Sequence, residues 1–305
     1  MKPRIGIVGT GWVGASVAMS VLHGGIAGEL LLADRRAEIA EGEAMDLAHG
    51  SSFYPSATVR AVSVEAVRET DAVVIAAGRG GRADETRLDL LRDNAAVARS
   101  LGEILRGYRG IVVMVTNPVD VLTQVFAESS GLPPERVIGT GTMLDTARLR
   151  HLAGTEMGLD PRSVHAQVVG EHGNSEVVLW SSARAGGRPL REWPGWDAAR
   201  EARIAAAVRG AAYEIIRRKG ATNHAIGLVT AALLRWALGG GGRILTVSRM
   251  QTGALGLSGV ALSLPTLVGP AGATEVVVPE MTPEEALALG RSADVIRRAL
   301  RDLAA

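Results

Sequence analysis

From its amino end the chain alternates short, wholly apolar runs with segments whose apolar residues recur every three or four positions. Residues 4–8 (RIGIV), 29–34 (ELLLAD), 72–77 (AVVIAA) and 111–116 (IVVMVT) read as buried strands, and Val137 and Ile138 begin another. The glycine-rich stretch 9–14 leads into a helix reaching about Leu22, and a second helical stretch follows residue 34 as far as about Ala48. Leu91, Asn94, Ala98, Leu101 and Leu105 fall at i, i+3, i+4 spacing, which marks a helix with one buried face. Apolar strands separated by helices are the pattern of a parallel sheet covered on both faces. The expected fold class is therefore α/β, with a doubly wound parallel sheet.

Past about Gly141 the pattern changes. Ile204, Val208, Ala211, Ala212 and Ile215 form a helical stripe that stops at Gly220, and glycines 239–242 form a connector. Residues 243–248 and 260–264 look like strands of a mixed or antiparallel sheet. In Thr282-Pro283-Glu284-Glu285, the threonine is a natural N-cap, proline suits the first helical position and glutamate the third, so a helix opens here and runs to the carboxyl end. Two domains are expected: a doubly wound domain over 1–141 and an α+β domain over 142–305.

Composition narrows the function classes. With 47% hydrophobic and 21% charged residues over 305 positions, disorder is not the default. The balance of 33 basic against 32 acidic residues argues against nucleic acid or an anionic membrane as main partner. Aromatic residues at 3% give no platform for stacking bases. The absence of cysteine excludes disulfides, thiolate metal sites and a cysteine nucleophile, and fits a reducing or redox-indifferent compartment, so a cytoplasmic location and no metal are expected. Lys2 and Arg4 ahead of the apolar run 5–22 resemble a secretory signal, but Gly6, Gly9, Gly11 and Gly14 break that run and no small-residue cleavage site follows cleanly. No stretch reaches the ~18 uninterrupted apolar residues of a membrane span. Only Lys2 and Lys219 are lysines and the other 31 basic residues are arginine, so an arginine is informative only with its neighbours.

Gly9-Thr10-Gly11-Trp12-Val13-Gly14 is a G-x-G-x-x-G that follows a strand and opens a helix. Its first glycine permits the tight turn, the second lets a pyrophosphate approach the backbone, and the third lets helix and strand pack closely. Among 38 glycines the pattern alone is weak, but Asp34 stands 20 residues beyond Gly14 at the end of the second strand, placed to accept hydrogen bonds from an adenosine ribose. A carboxylate there repels a 2′-phosphate, so NAD is expected over NADP, a preference softened by Arg35 and Arg36. In Gly170-Glu171-His172-Gly173-Asn174-Ser175-Glu176, a histidine sits between glycines after an apolar run. Asn117-Pro118-Val119-Asp120 lies at a strand's carboxyl edge, where open α/β sheets bind ligands. Asp145 and Arg148, at i and i+3, share a helix face, as catalytic partners or as a plain surface ion pair.

Together these motifs, with MDLAHG (45–50), TNPVD (116–120), IGTGTMLDTAR (138–148) and SLP (263–265), resemble the NAD-dependent L-lactate and L-malate dehydrogenases across nearly the whole chain, leaning to the bacterial L-lactate enzymes. The resemblance implies that His172 is the acid/base at the substrate carbonyl and that Asp145 holds its other ring nitrogen. It implies that Arg148 clamps the substrate carboxylate and that Arg87, at the end of a glycine-containing lid over 79–86, polarises the carbonyl. Asn117 would hydrogen-bond near the nicotinamide and the substrate oxygen, Thr222 would line the substrate pocket, and Ile226 would pack on the nicotinamide. Further cofactor contacts would come from Thr10, Trp12, Val13, Ala77, Gly78, Asn94 and Val115. Arg150 and His165 match the pair that binds fructose 1,6-bisphosphate at a subunit interface in allosteric bacterial lactate dehydrogenases, and a homo-oligomer, a tetramer ahead of a dimer, is implied as well.

The sequence departs from the family in the lid. Aligning Arg87 without gaps puts Gly81 where lactate enzymes carry Gln and malate enzymes Arg, which leaves room for bulkier 2-oxo acids. A one-residue shift presents Arg82 instead, with malate-like selectivity. Asn174 replaces the usual Asp after the histidine, as in some L-2-hydroxyisocaproate dehydrogenases. Lactate leads, bulkier hydroxy acids follow and malate is third. A non-catalytic dinucleotide sensor is the alternative from a different class, and it would be expected to have lost at least one of His172, Asp145, Arg148 and Arg87.

Overall fold

The computed structural model describes residues 2–80 and 86–304, without the side chain of Arg87. Strands β1 (Arg4–Val8), β2 (Glu29–Ala33), β3 (Thr58–Ala61), β4 (Ala72–Ile75), β5 (Ile111–Met114) and β6 (Val137–Gly139) lie side by side in the order β3-β2-β1-β4-β5-β6. Every neighbouring pair among them is parallel. Helices α1 (Trp12–His23), α2 (Ala37–His49), α3 (Arg87–Ile104) and α4 (Val119–Ser130) connect them. Because successive side chains point to opposite faces, each central strand feeds two cores. Val74 and Val113 join Ile5, Val17 and Leu22 on one face, while Val73 and Val112 join Leu101 and Phe126 on the other. That double burial is why the strands read as unbroken apolar runs. The chain reverses direction of winding between β1 and β4, which opens a crevice at the strands' carboxyl ends.

The second half contributes α5 (Met143–Met157), short strands β7 (Val164–His165), β8 (Val168–Val169), β9 (Val177–Val178), β10 (Arg184–Ala185) and β11 (Arg188–Pro189), then α6 (Ala198–Lys219) and α7 (His224–Leu238). It ends with β12 (Arg243–Thr252), β13 (Ser258–Gly269), β14 (Gly272–Val276) and α8 (Pro283–Ala304). Neighbours among the last three strands are antiparallel, and β12 pairs with β6 through Ser248 and Gly139. The parallel sheet therefore continues without a break into the second half, giving nine strands among the described residues. α6 stops at Gly220, whose φ of +87° is the left-handed conformation that a side chain disfavours. α8 opens with a reciprocal cap: the Glu285 N–H donates to Thr282 Oγ1 (3.2 Å) and the Thr282 N–H donates to Glu285 Oε2 (2.9 Å). Among the described residues no helix is long and apolar enough to cross a membrane.

Candidate active site

The three glycines of the first turn have three different reasons to be glycine. Gly9 has a φ of +93°, and a Cβ there would meet the Ala77 nitrogen at 2.4 Å. At Gly14 a Cβ would lie 1.9 Å from the Gly9 carbonyl oxygen, so α1 could not pack on β1. A Cβ at Gly11 would meet nothing within 4 Å, so the backbone faces open space that a ligand can approach. That space belongs to a cavity of about 530 Å³ lined by Gly9, Gly11, Asp34, Ala77, Gly78 and Asn94, with Arg35, Arg36 and Arg79 on the same wall. A bare helix N-terminus beside a carboxylate fits a dinucleotide: amides for the pyrophosphate, Asp34 for a ribose.

Asp34 is tied into the turn before any ligand arrives. Its Oδ2 accepts from the Thr10 N–H (2.9 Å) and hydroxyl (3.3 Å), and Oδ1 accepts from the Arg36 N–H (3.0 Å). A carboxylate has about four acceptor sites, so capacity for a ribose hydroxyl is left. Asn94 spends its amide on the main chain: Oδ1 accepts from the Arg79 N–H (2.9 Å), and Nδ2 donates to the carbonyls of Arg79 (3.2 Å) and Asn117 (3.1 Å). It holds the cavity wall together rather than offering free polar atoms. Trp12 sits apart from this cavity. Its ring is 63% exposed and lines a separate hollow with Ser16, Met19, Asn223, His224 and Leu228. Val13 and Ile226 pack against the apolar cluster that contains Val115.

The second group is assembled on the first turn of α5. The Thr142 hydroxyl donates to the Val168 carbonyl (2.6 Å) and its N–H donates to Ser263 Oγ (3.0 Å). Thr146 Oγ1 accepts from the Val168 N–H (3.0 Å). These bonds fix the helix start against β8 and β13, with Asp145 inside at 2% exposure. Asp145 Oδ1 accepts from Arg148 Nη1 at 2.7 Å, and Oδ2 lies 2.5 Å from His172 Nδ1. Asp145 and Arg148 are therefore no surface ion pair. Among the described residues Arg148 Nε and Nη2 and His172 Nε2 have no protein partner, so a guanidinium edge and a ring nitrogen stay open to a ligand.

The histidine turn is fastened from three elements. Gly170, at φ +90°, exchanges main-chain hydrogen bonds with Ser263 of β13. The Glu171 N–H donates to Ser292 Oγ of α8 (2.8 Å), and the His172 N–H donates to Asp120 Oδ2 of α4 (2.7 Å). Asp120 starts the helix that follows Asn117, so a chain of hydrogen bonds runs from the cavity wall through Asn94 and the Asn117 segment to His172. Sequence reasoning quoted Asp120 within a motif and gave it no role. Its signal is an acid in the first turn of an otherwise apolar helix.

Electrostatics follow the geometry. Burial opposes a charge on His172, but the Asp145 charge and hydrogen bond, with Asp120 behind, outweigh it and push the imidazole up to about 9. Burial pushes Asp120 up to about 6, against the Ser248 hydroxyl and the His172 amide. Glu176, also unassigned from sequence, is 6% exposed, and burial with the Asp145 charge pushes it up to about 8.

Other expected residues fall in different places. Thr222 is half-buried just before α7, and Asn117 is exposed at the β5 edge. Arg87 is the first residue of α3, after an N-cap in which Thr86 Oγ1 accepts from the Asp89 N–H at 3.1 Å. Its side chain, Gly81 and Arg82 lie outside the described residues. Arg150 and His165 line one cavity of about 720 Å³ with Arg162 and Arg243 on the face of α5 away from Asp145. Arg150 donates from Nε to the Ala166 carbonyl (3.0 Å), and burial followed by the Arg243 charge lowers its proton affinity.

A dinucleotide cradle joined to a proton-carrying histidine beside an open guanidinium defines an oxidoreductase of small carboxylic acids. The family model of the lactate/malate dehydrogenase NAD-binding domain matches residues 3–139, and that of the same family's alpha/beta C-terminal domain matches 142–305. The L-lactate dehydrogenase of Salinibacter ruber is 44% identical over 99% of this chain and 98% of its own length, and that of Geobacillus kaustophilus is 42% identical over 97% and 96%. The crystal structure of a minor L-lactate dehydrogenase from Enterococcus mundtii superposes with a TM-score of 0.96 at 36% identity, covering 98% of both chains. This chain belongs to the lactate/malate dehydrogenase family, its first half is an NAD-binding domain, and it is an NAD-dependent enzyme.

Proposed function

We propose that the reaction is reversible hydride transfer between NADH and pyruvate, giving L-lactate. The single observation that carries this reading is the Asp145 carboxylate held at once by Arg148 (2.7 Å) and His172 (2.5 Å), with the outer edges of both partners left open. When bound, NADH supplies the hydride. Arg148 offers its free Nε and Nη2 as a fork for the substrate carboxylate. His172, charged and oriented by Asp145, gives its Nε2 proton to the carbonyl oxygen as that oxygen becomes a hydroxyl, and takes it back in the oxidative direction. Asp145 keeps Nδ1 protonated and balances the imidazolium.

In this reading residues 1–141 hold most of the cofactor site and carry Arg87, and 142–305 supply His172, Asp145 and Arg148. Gly9, Thr10, Gly11, Val13, Gly14 and Asp34 form the cradle, with Ala77, Gly78, Asn94 and Val115 completing its walls, Asn117 and Ile226 at its nicotinamide end and Trp12 contributing through its main chain. Arg87 polarises the carbonyl from the lid, and Thr222 borders the substrate. Glycine at position 81, where lactate enzymes carry Gln and malate enzymes Arg, offers no side chain to pair with a second carboxylate, which favours a small or apolar substrate tail. Arg150 and His165 form a cationic cavity suited to fructose 1,6-bisphosphate, and the protein works as a homo-oligomer in the cytoplasm. The test is a steady-state panel with NADH and pyruvate, oxaloacetate, phenylpyruvate or 4-methyl-2-oxopentanoate. The expected order of kcat/KM puts pyruvate first and the bulkier acids next. Oxaloacetate ahead of both would replace Gly81 with Arg82 as the residue facing the substrate.

A further inference from the structure

Glu176 lies four residues beyond His172 in the same turn, and the reaction as described gives it nothing to do. It is 6% exposed, and its Oε1 is buried with no hydrogen-bond partner among the described residues. A buried carboxyl oxygen left without a partner is destabilising, so its presence beside His172 calls for a reason. It borders a cleft of about 360 Å³ whose other walls bring Arg209 from α6 and Arg291 from α8. On its inner side the charged groups within range are Asp145 and Arg148 of α5 and the His172 ring, while Asp120 of α4 faces that ring from beyond. The nearby Glu171 carboxylate is engaged by the Ser175 hydroxyl and N–H.

Resting on the proposed dehydrogenase reaction, we infer that Glu176 is a positioning residue acting through His172: its buried, unpartnered carboxyl joins Asp145 and Asp120 in balancing the imidazolium. Asp145 is bonded to both Arg148 and His172, so its single charge is shared between two cations. With Asp145 and Asp120 ionised, Arg148 and the imidazolium are already balanced, and an ionised Glu176 tips the cluster to net negative charge, which opposes loss of the imidazole proton. Burial holds the Glu176 carboxyl well above the ordinary carboxylate range, so its charge develops at alkaline pH, where the imidazolium is most easily lost.

The test is an NMR titration of the His172 ring in the wild type and in Glu176→Gln, with the alkaline limb of pyruvate reduction measured alongside. Glu176→Gln should lower the His172 midpoint by about half a pH unit or more, and the kinetic limb should move the same way. Coincident titrations in the two proteins would overturn the inference. If Glu176→Gln fails to fold, Glu176→Met, which leaves no buried polar atom unsatisfied, should give the same shift. Because the ring titration needs no turnover, a wild type that titrates as expected yet reduces no 2-oxo acid would remove the dehydrogenase reading and leave this coupling standing.

Discussion

A histidine that delivers a proton must be charged when the carbonyl arrives, and the surroundings of His172 arrange that against the penalty of burial. With its value raised to about 9, pyruvate reduction should hold through neutral pH and fall as pH rises through about 9, while lactate oxidation rises over the same range. Rates in both directions between pH 6 and 10 check this, and parallel profiles would contradict it. The same shift is a stability statement. A folded-state value above the ordinary 6.5 means that the imidazolium's contribution is fully present below about 6.5 and is lost as pH rises through about 9. Urea unfolding of the wild type against His172→Asn across that range measures it. Arg148→Lys keeps the charge and loses the fork, so kcat/KM for pyruvate should fall roughly tenfold to a hundredfold. At this scale the sequence was legible wherever a residue sits in a compact motif, as His172, Asp145 and Arg148 do. Asp120 and Glu176 stand in quoted motifs too, but their roles escaped because they come from burial, which brings Asp120 to the His172 turn and Glu176 to Asp145 and Arg148 of α5, and no local spacing records that.

Among the elements, the glycine turn separates packing from binding. Gly14→Ala puts a Cβ 1.9 Å from a backbone oxygen, so stability should drop by about 1–3 kcal/mol or more. Gly11→Ala meets no atom within 4 Å; stability should stay within about 0.5 kcal/mol while the NADH Kd rises. Thermal melts and fluorescence titrations of the two variants distinguish these outcomes. The core strands and helices were readable because burial on two faces or one leaves an unmistakable period. β3 was not, since its residues TVRA alternate between exposed and half-buried at the sheet edge. α7 was not either: it is apolar nearly throughout and its N-cap Asn223 makes no side-chain capping bond, so neither a stripe nor a cap announces it. The Asn223 amide instead donates to Ser16 Oγ of α1 (2.9 Å), a contact between halves of the chain.

For the whole molecule, the pairing of β12 with β6 makes one sheet of what the sequence divided at residue 141. The cradle at one end of the sheet and the histidine turn beside it are thereby held on a shared frame, linked through Asn94, the Asn117 segment and Asp120. Binding NADH to that frame should stabilise the protein by about 2.7 kcal/mol at a hundredfold excess over its Kd. In the cavity that holds Arg150 and His165, fructose 1,6-bisphosphate should raise activity at subsaturating pyruvate; no response at any pH would remove the allosteric assignment. The most direct measurement of the central claim is turnover and NADH affinity of His172→Asn side by side with the wild type. Pyruvate reduction should fall by ~10²–10⁴ while the NADH Kd stays within about twofold, whereas a variant that still turns over within about tenfold of the wild type would contradict the assignment of proton transfer to this histidine.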